Sequence, residues 1–212
     1  MRIWGKKGGC LVENKSIEIS PLHEEYFDGI IKLSNRIFGE NYLNYSCLEE
    51  VLKKSIKNDH NSSFCLINYN LEKIIGFRLT YAPGLWINDY KLEIHPEEWG
   101  FNPANVAYMK SSCLDPGFLG QGLGRSMLTH AITETKKQNA CAAVAHIWLH
   151  SPNNSAFKYF SRAGGTVIKR YPNYWSSIHN SQSPCKRCGS NCQCACAEMI
   201  INYSVYEEFL NV

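Results

Sequence analysis

Two stretches of this chain carry residue types dense enough to do chemistry. The first is Gly120-Gln121-Gly122-Leu123-Gly124-Arg125, with a glycine at every second position and then an arginine. Glycine accepts φ > 0 and lets a ligand come close to the backbone. Ahead of a helix, such a turn offers unpaired N–H groups and the positive end of the helix dipole, which together favour an anion. A pyrophosphate is the expected guest, with Arg125 adding a charge-assisted contact; a tight strand-to-helix turn without a ligand is the alternative. The second stretch lies between positions 185 and 196, where Cys185, Cys188, Cys192, Cys194 and Cys196 crowd together. Cys185-Lys186-Arg187-Cys188-Gly189 has the spacing and glycine of a zinc knuckle, and Cys192-Gln193-Cys194 supplies a second pair. Cys185, Cys188, Cys192 and Cys194 are therefore the expected metal ligands, structural zinc first, with an iron–sulfur cluster or reduced thiols as alternatives. His179 is a substitute ligand and Cys196 is spare. A closed four-thiolate site leaves no open position for metal catalysis.

The elements that must position these residues follow from periodicity. Ser16 to Leu22 alternates as a strand. His23 to Phe38 has helical spacing, and Ser46 to Lys57 reads as a second helix with Ser46 as N-cap and Glu49 completing a capping box. Phe64 to Tyr69 and Ile74 to Tyr81 form a hairpin around Asn70. The irregular stretch Ala82 to Ala104 carries Trp86, Tyr90, Trp99 and Phe101; it is either a functional loop or an insertion that covers the core. Val106 to Leu114 is a strand stopped by Asp115-Pro116-Gly117. A helix follows from Gly122 to Lys137, then a buried strand from Ala142 to Leu149. Ser151-Pro152 opens a helix that runs to Ala163 and ends at Gly164-Gly165. Thr166 to Tyr171 and Ala197 to Tyr203 are the last strands. The order implies an α/β fold whose sheet has antiparallel and parallel parts.

Composition narrows the function. Net charge is +3, apolar residues are 44% and charged residues 19%, as in ordinary globular proteins. No basic run beyond Lys136-Lys137 argues for nucleic acid. No stretch reaches the roughly 20 apolar residues of a membrane span, and Met1 to Val12 lacks an apolar signal region. A cytoplasmic setting is expected, where thiols stay reduced.

The nucleotide P-loop and the dinucleotide fingerprint both fail on glycine spacing at the turn. Leu114-Asp115-Pro116-Gly117-Phe118-Leu119-Gly120-Gln121-Gly122-Leu123-Gly124 instead resembles motif A of the GNAT family of N-acetyltransferases, Arg/Gln-x-x-Gly-x-Gly/Ala after a strand. Leu119 stands where the family prefers Arg or Gln. Downstream, Asn153 to Gly164 resembles the family's motif B through Asn153, Ala156, Arg162 and Gly164. The resemblance implies a single GNAT domain over 1–212, with a mostly antiparallel sheet of six to seven strands and about four helices. It also implies an aromatic-rich insertion at 84–104 and a cysteine-rich loop at 179–196 before the last strand.

It further implies that an amine attacks acetyl-CoA directly. The strand Val106 to Leu114 would splay from its neighbour, with Ser112, Cys113 and Leu114 along the pantetheine. Leu119, Gly120, Gln121, Gly122, Leu123, Gly124 and Arg125 would hold the pyrophosphate. Asn153, Phe160 and Arg162 would line the far side. Phe160 stands where many members keep a proton-donating tyrosine, so Tyr159 becomes the substitute acid. Tyr108 occupies the place of a glutamate base, though a tyrosine of pKa near 10 is a poor base; Glu93 or His95 are alternatives, each also readable as exposed loop charge. His146 reads as a hydrogen-bonded core histidine. Apart from the resemblance, the cysteine-rich loop either pins itself between two strands or, with Tyr171, Tyr174 and Trp175 before it, forms one wall of the acceptor site. The implied partners are acetyl-CoA and an amine, small molecule or protein, acted on by a monomer or homodimer. A catalytically idle acyl-CoA-binding module is the rival reading, favoured by Phe160.

Overall fold

The computed structural model describes residues 16–88, 93–177 and 184–210. Its core is a seven-stranded sheet in the order β1 (Ile17–Pro21), β4 (Phe64–Asn68), β5 (Lys73–Tyr81), β6 (Val106–Leu114), β7 (Ala142–Trp148), β9 (Cys196–Asn202), β8 (Thr166–Tyr171). Every pairing is antiparallel except β6 with β7. A small hairpin, β2 (Ile56–Lys57) with β3 (His60–Asn61), stands apart.

Helices cover both faces. Against one lie α1 (Phe27–Phe38) and α2 (Tyr45–Ser55), where Phe27, Ile30, Leu33, Leu48 and Val51 pack on Phe77, Leu79, Val106, Tyr108 and Val144. Against the other lie α3 (Leu123–Lys137), α4 (Ser155–Arg162) and α5 (Tyr203–Leu210), packed on Ala107, Met109, Ala143, Ala145 and Ile201. Each fully buried Leu, Ile or Phe contributes about 1.5–3 kcal/mol. The alternation along β6, Val106 and Tyr108 to one face and Ala107 and Met109 to the other, is the strand period of two. Among the described residues, no helix is long and apolar enough to cross a membrane.

The sheet, the hairpin Phe64 to Tyr81 and the cysteine-rich loop before the last strand agree with the sequence reading. Four details differ. Asn44, rather than Ser46, caps α2, its Oδ1 accepting from the Cys47 N–H at 2.8 Å. The expected helix at Ser151-Pro152 begins as a short 3₁₀ turn; Asn153 and Asn154 adopt left-handed conformations (φ 54° and 53°), so α4 starts only at Ser155. Ser151 Oγ still accepts from the helix, at the Ala156 N–H, 3.1 Å away. Among the described residues there are five α-helices where about four were expected: the last strand stops at Asn202, whose side chain accepts from Ser204 N–H at 3.0 Å as α5 begins. Finally, Trp86 and Trp99 are core residues, stacked with centroids 5.5 Å apart, and Trp86 donates to the Val106 carbonyl at 2.8 Å. Through Trp86 and Trp99 the described parts of 84–104 cover the core, one of the two readings that the sequence left open. Tyr90, Cys10, His179 and the segment Met1 to Val12 lie outside the described residues.

Candidate active site

The glycine turn is built where β6 ends. Asp115 redirects the chain: its carboxylate accepts from Gly117 N–H at 3.1 Å, Arg36 Nη2 at 2.8 Å and Lys73 Nζ at 3.1 Å. The Arg36 bond, opposed by burial and helped by Gly117 and Lys73, holds its carboxyl down to about 2. Gly120 and Gly122 then take φ of 78° and 77°, a region costly for any residue with a Cβ. A Cβ added at either would meet no atom within 4 Å, so the backbone there faces open space. The first α3 bond runs from Ser126 N–H to the Gly122 carbonyl at 3.1 Å, leaving the N–H groups of Leu123, Gly124 and Arg125 ahead of the helical ladder. Leu119 is 63% exposed.

A cation lies beneath this turn. Arg78, on β5, is 1% exposed. Its Nη2 donates to Tyr159 Oη at 2.9 Å, and Tyr159 Oη donates to the Gly124 carbonyl at 2.8 Å. Arg78 Nε has no hydrogen-bond partner, and no carboxylate pairs with the guanidinium among the described residues. A buried charge without a counter-charge is costly. Its hydrogen-bond chain through Tyr159 ends on the Gly124 carbonyl, in the first turn of α3.

Next to the turn the sheet opens. The parallel pair β6–β7 is joined only at Val106↔Ala142, Ala107↔Ala143 and Tyr108↔Val144. Beyond Tyr108 the two strands diverge, each still paired on its outer side, so both present unpaired backbone edges to a cleft. A register shift between Leu79 and Thr80 makes Lys110 the extra residue of a bulge in β6 at this point.

At the apex of the cleft sits a polar network. His146 Nε2 is 2.7 Å from the Glu93 carbonyl, an acceptor only, so Nε2 carries the proton and Nδ1 is left to accept. Tyr108 Oη lies 3.0 Å from that Nδ1 and donates to it. Burial pushes His146 below the usual histidine range, which favours the neutral ring whose Nδ1 accepts, and pushes the Tyr108 phenol well above 10. Glu198, fully buried on β9 opposite His146, accepts from Trp99 Nε1 (2.8 Å), His95 N–H (3.1 Å) and Tyr171 Oη (2.8 Å), and faces His95 Nδ1 at 3.0 Å. Burial opposes its charge, but these bonds outweigh burial and hold its carboxyl below the usual range. Glu198 thereby anchors the segment 93–99, which carries the Glu93 carbonyl to His146. His146 also stacks on Tyr174 with centroids 5.1 Å apart.

The sequence-derived candidates distribute as follows. Ser112 is exposed on β6, whereas the Cys113 thiol points into the core and is pushed up to about 12 by burial, so only its backbone reaches the cleft. Leu114 leads into the turn. Gln121 and Arg125 are exposed on it, and Asn153 and Arg162 are exposed around α4. Phe160 is a core residue. Tyr159 is tied to Arg78 and Gly124. His95, readable as exposed loop charge, is instead bonded to Glu198, Tyr171 Oη (2.8 Å) and Lys169 Nζ (2.7 Å). His146 is hydrogen-bonded and buried as expected, but its partner is Tyr108. Cys185, Cys188, Cys192 and Cys194 converge, all four sulfurs lying within 4.8 Å of one another, while Cys196 is buried in β9. Arg78 and Glu198 escaped the sequence reading. Each is a charge inside an apolar strand, Ile74 to Tyr81 and Cys196 to Asn202, and that is the signal that marks them.

Comparison with known proteins places this geometry. The profile described as the acetyltransferase (GNAT) family matches residues 27–164. By sequence, no curated protein matches. Among solved structures, Ard1 from Thermoplasma volcanium covers 88% of this chain and 97% of its own at 12% identity, with a TM-score of 0.61. Naa50 of Arabidopsis thaliana in complex with the bisubstrate analogue CoA-Ac-MVNAL covers 87% and 97% at 14% identity and TM-score 0.56. The ribosomal-protein-S18-alanine N-acetyltransferase of Escherichia coli covers 88% and 93% at 16% identity and TM-score 0.55. At such identities these structures speak for the fold alone, and the profile match over most of the chain decides the rest: the protein belongs to the GNAT acetyltransferase family.

Proposed function

We propose that this protein is an acetyl-CoA-dependent N-acetyltransferase in which the amine attacks the thioester directly. The observation that carries the reading is the opening of β6 from β7 beyond Tyr108, which sets one cleft between the glycine turn and the Tyr108–His146 pair. Acetyl-CoA lies along β6 from Ser112 to Leu114, its pyrophosphate on the backbone of Leu119 to Arg125, with Arg78 supplying buried positive charge. Asn153, in the 3₁₀ turn before α4, and Arg162, at the end of α4, flank it. Naa50 binding a CoA-peptide bisubstrate analogue on the same fold supports a cofactor and an amine meeting in this cleft. The whole chain is read as one such unit, with 84–104 and 179–196 as its elaborations, acting in the cytoplasm.

Tyr108 cannot serve as a phenolate, because burial raises its pKa. It serves as a relay. As the amine nitrogen bonds to the thioester carbon, its proton passes to Tyr108 Oη and the tyrosine proton passes to His146 Nδ1. The carbonyl oxygen becomes an oxyanion beside backbone N–H groups of β6 at the bulge. The C–S bond then breaks and the thiolate leaves as CoA. Phe160 has no proton to give, and Tyr159 already donates its own to Gly124, so we assign Tyr159 to holding the turn.

The test measures acetyl-CoA affinity by calorimetry and free-thiol release with a panel of small amines and peptide N-termini. Turnover on at least one amine, lost in Tyr108→Phe and His146→Ala while affinity persists, supports the reading. Binding without turnover on any amine supports the rival that Phe160 favours, an idle acyl-CoA-binding module. Absence of acetyl-CoA binding removes both.

A further inference from the structure

The four convergent cysteines form a second built site. Cys188 Sγ and Cys194 Sγ are 3.7 Å apart, too far for a disulfide, whose sulfurs are about 2.05 Å apart. With Zn–S bonds of about 2.3 Å, a tetrahedral zinc separates neighbouring thiolates by about 3.8 Å. The observed spacing is that edge, and the spread of at most 4.8 Å over all four sulfurs encloses one ion. The local backbone is a knuckle: Cys185 N–H donates to the Gly189 carbonyl at 3.0 Å, Gly189 N–H returns to the Cys185 carbonyl at 2.9 Å, and Gly189 takes φ 66°. Cys185, Cys192 and Cys194 are buried with Trp148 and Trp175 packed over them. No carboxylate or water-bearing side chain belongs to the set, so the donors suit zinc held for structure.

The position of the knuckle matters more than its metal. On one side it holds the end of β7: Trp148, the last residue of that strand, packs on the cysteines, and just past it Arg187 Nη1 donates to the His150 carbonyl at 3.0 Å and Ala195 N–H donates to His150 Nδ1 at 3.1 Å. On the other it abuts the end of α1, where a Cβ on Gly39 would come within 3.4 Å of the Pro184 carbonyl and 3.5 Å of the Lys186 side chain. Three residues on, Tyr42 Oη meets Ser111 Oγ of β6 at 3.1 Å. The knuckle therefore links the two strands that diverge at the cleft, reaching β7 directly and β6 through the α1–α2 connection. We propose that Cys185, Cys188, Cys192 and Cys194 bind one Zn²⁺, and that this ion fixes the width of the β6–β7 cleft on its α1–α2 side. Metal binding and the bracing of the two strands are independent of the acetyltransferase reading.

The experiment uses the full chain purified without chelator. Elemental analysis is expected to find one zinc per chain, and replacement by Co²⁺ to give the visible d–d bands of a tetrahedral thiolate site. Cys188→Ser, which alters the exposed ligand, should lose the metal while keeping its circular dichroism; chelation of the unaltered chain is the second route to the same state. In either, amide exchange should rise about tenfold at 39–44 and 148–150 and stay unchanged at 119–125, because local opening becomes easier in the segments the knuckle braces and nowhere else. No bound metal, or iron in place of zinc, overturns the metal assignment. Bound zinc whose removal changes exchange only within 184–195 overturns the cleft-fixing role. Acetyl-CoA affinity, measured on the same samples, should stay within twofold; its absence from the unaltered protein would count against the proposed transferase, with the metal result standing apart.

Discussion

The glycine turn and the Tyr108–His146 network lie at the two ends of the stretch of β6 that has left β7, yet they are made of different materials. The turn is backbone. What it offers is consecutive N–H groups at the start of α3, and what it asks of the sequence is glycine where φ is positive, at Gly120 and Gly122. The network is side chain. Tyr108 comes from β6, His146 from β7, Tyr171 from β8, Glu198 from β9 and His95 from the segment before β6. The fold, and no local spacing, brings them together. The comparison predicts that damage to each side has a distinct signature, catalysis for the network and cofactor affinity for the turn.

The largest effect belongs to the network. His146→Ala removes the only nitrogen that accepts from Tyr108, so turnover should fall by about 10²–10⁴-fold, the usual worth of a positioned base. Acetyl-CoA affinity should not move. Equal losses in turnover and affinity would mean that the two sides are not separable. Second is Gly122→Val. Its Cβ meets nothing in the ligand-free chain, so the loss of stability should be confined to the roughly 1–2 kcal/mol of backbone strain that a β-branched residue carries at φ 77°, and the new side chain stands where the ligand must approach. Acetyl-CoA affinity should drop by about 100-fold, the order of the oriented N–H hydrogen bonds that the new side chain would block; a change under threefold would put the cofactor elsewhere. Third is Arg78→Met. A buried guanidinium with an unpartnered Nε gives the ligand-free fold no ion pair, so stability by denaturant titration should hold or rise. Affinity for acetyl-CoA should fall by about tenfold, as one long-range charge is removed from an anion site. A destabilised variant with normal affinity would make Arg78 a structural residue only.

The same division explains what the sequence could tell. Strand and helix faces, the turn and the cysteine knuckle were legible because each is a local pattern: alternation in Ser16 to Leu22, helical spacing in His23 to Phe38, Cys-x-x-Cys-Gly. The α4 start was not, because two asparagines in succession took left-handed conformations that Ser151-Pro152 gives no hint of. His146 was legible as a buried, hydrogen-bonded histidine, but its partner was not, since Tyr108 lies 38 positions away. Glu198 and Arg78 were hidden for the opposite reason to Gly122. Their meaning is tertiary, the single charge in an apolar strand acquiring its role only from what the neighbouring elements place beside it.

The smallest predicted effect tests the network without any acceptor. The folded chain holds His146 below its ordinary 6.5 through burial, so as pH falls from 6.5 the unfolded chain takes a proton first. Unfolding is thereby favoured, and stability declines through that window at no more than about 1.4 kcal/mol per pH unit for one proton. His130, also depressed by burial, adds to the same window. Glu198 is held below its ordinary 4.5, so its stabilisation is complete above 4.5 and is lost only at lower pH. Denaturant titrations from pH 7.5 to 4 should therefore show two declines. His146→Gln should flatten the upper one in part and leave the lower. Glu198→Gln should do the reverse, at a cost of about 1–3 kcal/mol throughout, because Trp99, His95 and Tyr171 then share a weaker acceptor. An upper decline that survives both His146→Gln and His130→Gln unchanged would mean that no buried neutral histidine is held at the apex of the cleft, and the proton relay through Tyr108 would lose its base.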